Sequence, residues 1–200
     1  MKSNIIILGI FAVFLVGCSS VEPTAKEYIL SPKTEVAQTQ QSRFSDAVVR
    51  VAQPYGPESL FSQNMYYVED NLQEYHYSSS QWAASPKSMI TQKVLQMLRE
   101  TKVFGFVLSP ASKVATEYLL ETRVDNFKQY FQKSDRESYV IVSITFTLSN
   151  ARKHTVVMSK TFHVKKEVTQ LNAVGGVKAL NEALKTVLDE AAVWIIEESK

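Results

Sequence analysis

Two stretches of the chain alternate apolar and polar residues with a period of two. In "SYVIVSITFTLSN" Val140, Val142, Ile144, Phe146 and Leu148 fall on one face, with Ser143, Thr145 and Thr147 on the other. That is a strand packed on one side and half solvated on the other. "NARKH" links it to "TVVMSKTFHVKKEV", where Val156, Met158, Phe162 and Val164 share a face that Lys160 interrupts. Before them "EYLLETRVDNFKQYF" predicts a long strand through its Leu120-Thr122-Val124 alternation, and the three strands form a meander. Further upstream, the β-branched run Val48-Val49-Val51 ends at Pro54, and "QNMYYVED" with "LQEYHYSSS" predicts a hairpin turning at Asp70-Asn71. Short, apolar "VFGFVL" predicts a buried strand.

The pattern changes to a helical period twice. Ser85 as N-cap and Pro86 at the first helical position open a helix in which Ile90, Val94, Met97, Leu98 and Thr101 recur on one side, ending near Lys102. The last helix carries a stripe of Val177, Leu180, Leu184, Val187, Leu188, Ala191 and Ile195, with Lys178, Asn181, Glu182, Lys185 and Asp189 outside it. Gly175-Gly176 weakens its beginning by roughly 1 kcal/mol per glycine, so the firm start is placed near Val177. The expected fold is α+β: a mostly antiparallel sheet with two amphipathic helices packed on one face.

The amino terminus follows a different logic. Lys2 precedes Ile5 to Val16, an uncharged run of twelve residues, well short of the ~20 needed to span a bilayer. This is the h-region of a signal peptide. It ends Leu15-Val16-Gly17-Cys18, which resembles the bacterial lipobox and places the chain's single cysteine at the junction with polar Ser19-Ser20. The resemblance implies diacylglycerol on the Cys18 sulfur, cleavage before Cys18 and acylation of the new amino terminus, palmitate being the expected acyl group. One chain holds a protein only marginally, whereas two or three anchor it stably. Ser19, where an inner-membrane retention signal would carry Asp, resembles sorting to the periplasmic face of the outer membrane, with the inner membrane as the alternative. The expected organisation is 1–17 signal peptide, 18–43 lipidated tether with a docking strand near 28–30, and 44–200 a single α+β domain.

Composition narrows the function classes. The formal charge is +2 and no run of Lys or Arg forms a nucleic-acid footprint. His76, His154 and His163 have no partner at metal-ligand spacing, and no nucleophile elbow, phosphate loop or dinucleotide motif is present. The expectation is therefore no catalytic residue, no metal and no cofactor. The aromatics stand out instead: Tyr66, Tyr67, Tyr75, Tyr77 and Trp82 cluster within seventeen residues. They fit cross-strand pairing in the hairpin or a protein-contact surface, with Trp82 expected to join the hairpin to the first helix.

With these residues placed, the chain resembles the ABC-type transport auxiliary lipoproteins, the group that includes the paraquat-inducible protein C lipoproteins. The similarity runs in order along the mature chain. It comprises a lipobox, "EYIL" about ten residues after the Cys, Tyr-rich "MYYVED", "QWAASPKSMITQKVLQMLRETKVFGFVL" and a final amphipathic helix. Glu27 stands where the family usually carries the first Tyr of a Tyr-Tyr pair. The resemblance implies a noncatalytic accessory of an Mce-type lipid transporter whose partner is the periplasmic Mce-domain protein. A homo-oligomer is also expected. The other class to weigh is a structural or assembly lipoprotein of the envelope, such as an activator of cell-wall synthesis.

Overall fold

The computed structural model describes residues 25–70, 72–132 and 137–200. The signal peptide, the lipobox and Cys18 lie outside the described residues, as does Asn71 of the expected hairpin turn. The strands are β1 (Lys26–Tyr28), β2 (Val48–Val51), β3 (Asn64–Glu69), β4 (Gln73–Trp82), β5 (Phe106–Leu108), β6 (Tyr118–Gln132), β7 (Glu137–Asn150) and β8 (Thr155–Glu167). The helices are α1 (Pro86–Thr101) and α2 (Ala173–Glu198).

All eight strands join one sheet with β6 as its spine. One edge of β6 pairs antiparallel with β7 over almost its full length, and β8 follows on the outer edge of β7. The other edge of β6 is shared. Its start, Tyr118–Leu120, pairs with β2, and its end, Gln129–Phe131, pairs with β3, both in parallel. β5 then adds in parallel to β2; β4 adds antiparallel to β3, and β1 lies parallel along β4. The sheet is thus mixed: its long ladders are antiparallel, as expected, and the short seams of β1, β2, β3 and β5 add parallel pairings that the sequence did not show. Hairpins and meanders are joined by short turns and leave a local signal. Parallel neighbours need long crossovers, here through α1 and the β3–β4 hairpin, and local periodicity does not reveal them.

The inward rows of β6, β7 and β8 meet α2, and α1 packs beside α2 over β2 and β5. Val140, Val142, Ile144, Phe146 and Leu148 are all buried, as is the whole α2 stripe and the whole α1 stripe. The caps are the expected ones for α1: Ser85 accepts a hydrogen bond from Ser88 N, and Lys102 closes the helix at φ 56°. In α2, Asn172 is the N-cap, accepting from Gly175 N at 3.0 Å. The helix therefore starts at Ala173, and both glycines lie inside its first turns.

Two further sequence expectations change in the structure, and one bulge adds to what the pattern predicts. "VFGFVL" yields only the edge strand β5, with Phe106 64% exposed; Val103 and Phe104, ahead of the strand, are the buried pair. A bulge between the pairs Leu148–Met158 and Ser149–Val156 reverses the parity of β8, so Val156 leaves the inward row and is exposed. A second bulge, at Asp125, lets Val124 and Phe127 both point inward, and Gln129 follows them.

Residues 30–43, read above as tether, are held along the two helices. Leu30 is buried; Ser31 N donates to Asn181 Oδ1 at 2.6 Å and Glu35 N to Asp189 Oδ1 at 3.1 Å. Thr39 N then reaches Thr101 O at 3.0 Å, and Arg43 N reaches Ser199 O at 2.8 Å. The polar residues outside the α2 stripe are what this strap binds.

Candidate functional site

The Tyr-rich segment folds as the hairpin its pattern predicts, and the pleat divides its aromatics between two faces. Tyr67 and Tyr75 are direct cross-strand partners whose rings stack with centroids 5.7 Å apart. Tyr77 comes to 4.8 Å from Tyr67, and Phe131 of β6 meets Tyr67 edge-on at 5.4 Å. On the opposite face Tyr66 lies against His76 at 6.1 Å, and Lys128 forms an ion pair with Glu74. Trp82, at the end of β4, is buried against Phe127 at 6.1 Å. It is a core residue at the hairpin base, three residues before the cap of α1.

Beneath the inward aromatics lies a buried polar knot centred on Gln129, only 2% exposed. The Tyr77 hydroxyl donates to Gln129 Oε1 at 3.0 Å, and Gln129 Nε2 donates to Ser138 Oγ at 2.8 Å. Both ends of the amide are satisfied, as a buried amide requires. Burial, reinforced by the neighbouring Tyr67 phenol, pushes the Tyr77 pKa well above its ordinary value. Tyr77 therefore keeps its proton, and its hydrogen bond to Gln129, further into alkaline pH than an exposed phenol. Directly over this amide sits Gly176. A Cβ there would stand 1.9 Å from Gln129 Oε1, so only a glycine lets α2 settle onto the knot. Gln129, Ser138 and Gly176 were not singled out by the sequence. The available signal was an inward-facing Gln beyond a bulge together with a Gly pair inside a helix, neither of which is informative alone.

The knot makes the hairpin a stiff extension of the core. Near its tip Leu72 is 89% exposed among acidic and amide residues, and Tyr75, further along β4, is also exposed. Aromatic side chains of this kind are enriched at protein interfaces.

A concavity of about 490 Å³ lies between β8 and α2. Its floor is the edge-to-face pair Phe162–Trp194 at 5.8 Å, and Lys160, His163, Asp189 and Glu197 line its rim. Lys160 is on the inward row, opposite Phe146, and reaches over the Phe162 ring at 5.3 Å. An inward-pointing lysine on an edge strand is a device against strand addition by another sheet.

The histidines do not converge. His76 is on the hairpin, His154 in the β7–β8 turn at φ 55°, and His163 on the outer row of β8. Among the described residues no group of three or more His, Cys, Asp or Glu is placed to hold a metal ion. No described helix is long and apolar enough to cross a membrane.

A family model described as "ABC-type transport auxiliary lipoprotein component" matches residues 28–192. No curated protein sequence matches the chain. Among solved structures, protein XCC0632 from Xanthomonas campestris superposes with a TM-score of 0.73 at 18% identity, covering 86% of this chain and 95% of its own. A second, described only as an uncharacterized protein, gives 0.61 at 15% identity, covering 86% and 99%. At these identities the likeness is one of fold.

Proposed function

The chain belongs to the ABC-type transport auxiliary lipoprotein family, and we propose that it serves as the lipid-anchored, noncatalytic accessory of an Mce-type lipid transporter. Acylated Cys18 holds it to the membrane, on the periplasmic face of the outer membrane. There it binds the transporter's periplasmic Mce-domain protein as a homo-oligomer and does no chemistry of its own. Energy for transport comes from the ATPase of the partner complex.

The observation that carries this reading is the family match itself, which runs from Tyr28 at the end of β1 through the strap, the hairpin and α1 to residue 192 within α2. The site agrees with it. A stiff hairpin that presents Leu72 and Tyr75 to solvent suits a docking module.

The test is co-purification of the tagged lipoprotein from its native envelope after gentle crosslinking. An Mce-domain protein and its permease are the expected partners. Recovery of cell-wall synthases without any Mce-domain protein would move the assignment to an envelope-assembly lipoprotein. Hydrolytic turnover by the purified domain, abolished by one carboxylate or histidine substitution, would overturn both.

A further inference from the structure

We propose that one corner of the sheet's outer face, where Arg50 stands among Phe106, Leu108, Val114, Leu119 and Val156, docks an apolar protein segment that carries a carboxylate for Arg50. The proposal rests on the reading above and makes the transporter's periplasmic Mce-domain protein the owner of that segment. The corner lies at the start of β6, the opposite end from the hairpin.

Register builds the patch. Both helices pack on the inward rows of the sheet, so the outer face is the one expected to be polar. Along β7 and β8 it is: Thr145 with Thr161 and Thr147 with Ser159 are hydroxyl pairs at 2.8 Å. At the start of β6 the chemistry changes. Backbone pairing sets Val156 beside Ser149, Ser149 beside Leu119, Leu119 beside Arg50 and Arg50 beside Leu108. This row crosses five strands, about 19 Å. Phe106 lies two residues before Leu108 on the same side of β5, and the Val114 carbonyl joins the row by accepting from Arg50 Nη2. Phe106, Val114 and Val156 are 64%, 58% and 66% exposed. Phe106 and Val156 are the two residues that the sequence pattern assigns to buried positions and the structure turns outward. Apolar side chains gathered on one exposed face mark an interaction site.

Arg50 specifies what the segment carries. Its side chain is half-buried in this apolar surround. Among the described residues its guanidinium bonds only to Val114 O, and no carboxylate lies within ion-pair distance of it. Nε is buried and has no partner. A charge held in this way without a counter-ion is unfavourable, and a guanidinium is matched best by a carboxylate bridging its N–H donors. A carboxylate from a partner can meet Nη1 and the remaining N–H of Nη2 while the surrounding Phe, Leu and Val side chains exclude water. Arginines ringed in this manner dominate interface energies. An anionic membrane is a poorer match, because it is held by clustered cations and the neighbouring Arg152 is already paired with Glu117 at 3.8 Å.

The test is photocrosslinking in the native envelope. Full-length lipidated protein carries p-benzoylphenylalanine in place of Phe106 or Val156, or in place of His163 as the control. All three positions are exposed, and His163 lies on the same outer face about 20 Å along β8 from Val156. Adducts with the Mce-domain protein are expected from positions 106 and 156 and not from 163. Adding Arg50→Gln should lower their yield at least about tenfold, with Arg50→Lys retaining part of it, and thermal melts matching the parent's separate lost docking from lost folding. If Arg50→Gln does not fold, the adducts in the parent background and with Arg50→Lys decide. Mce-domain protein that co-purifies but crosslinks only from position 163, or adducts with lipid alone at 106 and 156, overturn the surface and leave the transporter reading intact. Full yield from folded Arg50→Gln overturns the carboxylate contact. Absence of any Mce-domain protein from both the adducts and the co-purification overturns the transporter reading and the docking surface together.

Discussion

Replacing Gly176 by alanine tests the claim that the helix and the hairpin are joined through one buried amide. Helix propensity alone favours the change by ~1 kcal/mol, because glycine is the poorer helix former. The structure opposes it: the new methyl would lie 1.9 Å from Gln129 Oε1 and 2.8 Å from its Cδ. Gln129 cannot swing into solvent, being buried and tied to Tyr77 and Ser138. Overpacking of this kind costs ~1 to 3 kcal/mol, and displacing the amide leaves a buried donor or acceptor unpaired for ~1 to 3 kcal/mol more. The net expectation is a loss of about 3 kcal/mol, equivalent to roughly 6 to 12 °C in Tm for a chain of this size. Urea denaturation followed by far-UV circular dichroism measures it. Combining Gly176→Ala with Gln129→Ala removes the clashing group, so the two losses should fall well short of additive. A Gly176→Ala variant as stable as the parent, or stabilised by the propensity term, would refute the proposed contact.

Three other expectations follow from the same geometry and a fourth from the amino-terminal sequence. Trp82→Ala should cost ~3 to 5 kcal/mol in a thermal or urea melt; a variant that melts like the parent and loses only partner binding would make Trp82 a surface contact. Thr122 is fully buried and its Oγ1 has no hydrogen-bond partner among the described residues, so Thr122→Val should raise stability by about 1 kcal/mol, and a loss would reveal an undetected partner. Because burial raises the Tyr77 pKa in the folded state, its contribution is intact below the unfolded phenol value of ~10 and declines as pH rises past it. Between about pH 9 and 11 the parent should lose stability more steeply than Tyr77→Phe, and parallel curves would contradict the assignment. Cys18→Ser should yield soluble or unprocessed protein, whereas parent protein that partitions into the aqueous phase without acyl mass would sink the lipidation reading.

Much of this molecule was legible from local pattern. The two helices declared themselves through apolar spacing and, for α1, through Ser85 and Pro86. The long strands β7 and β8 showed their period of two because each has one wet face. The hairpin showed in its clustered tyrosines. These signals are local because a helix stripe or a strand face is decided by residues a few positions apart. Tertiary structure decided what depends on distant partners. The parallel seams of β2 and β3 on β6 follow from how crossovers pack, and the bulges at Asp125 and beside Val156 reset parity only where a neighbouring strand forces an extra residue out. The polar segment 30–43 carries too little apolar surface to announce contact, yet backbone groups can bind side chains such as Asn181 and Asp189 that a helical wheel assigns to solvent. Gln129 and Gly176 are forty-seven residues apart and chemically unremarkable. Only the folded chain brings an amide that must be satisfied under a helix turn that has room for no side chain.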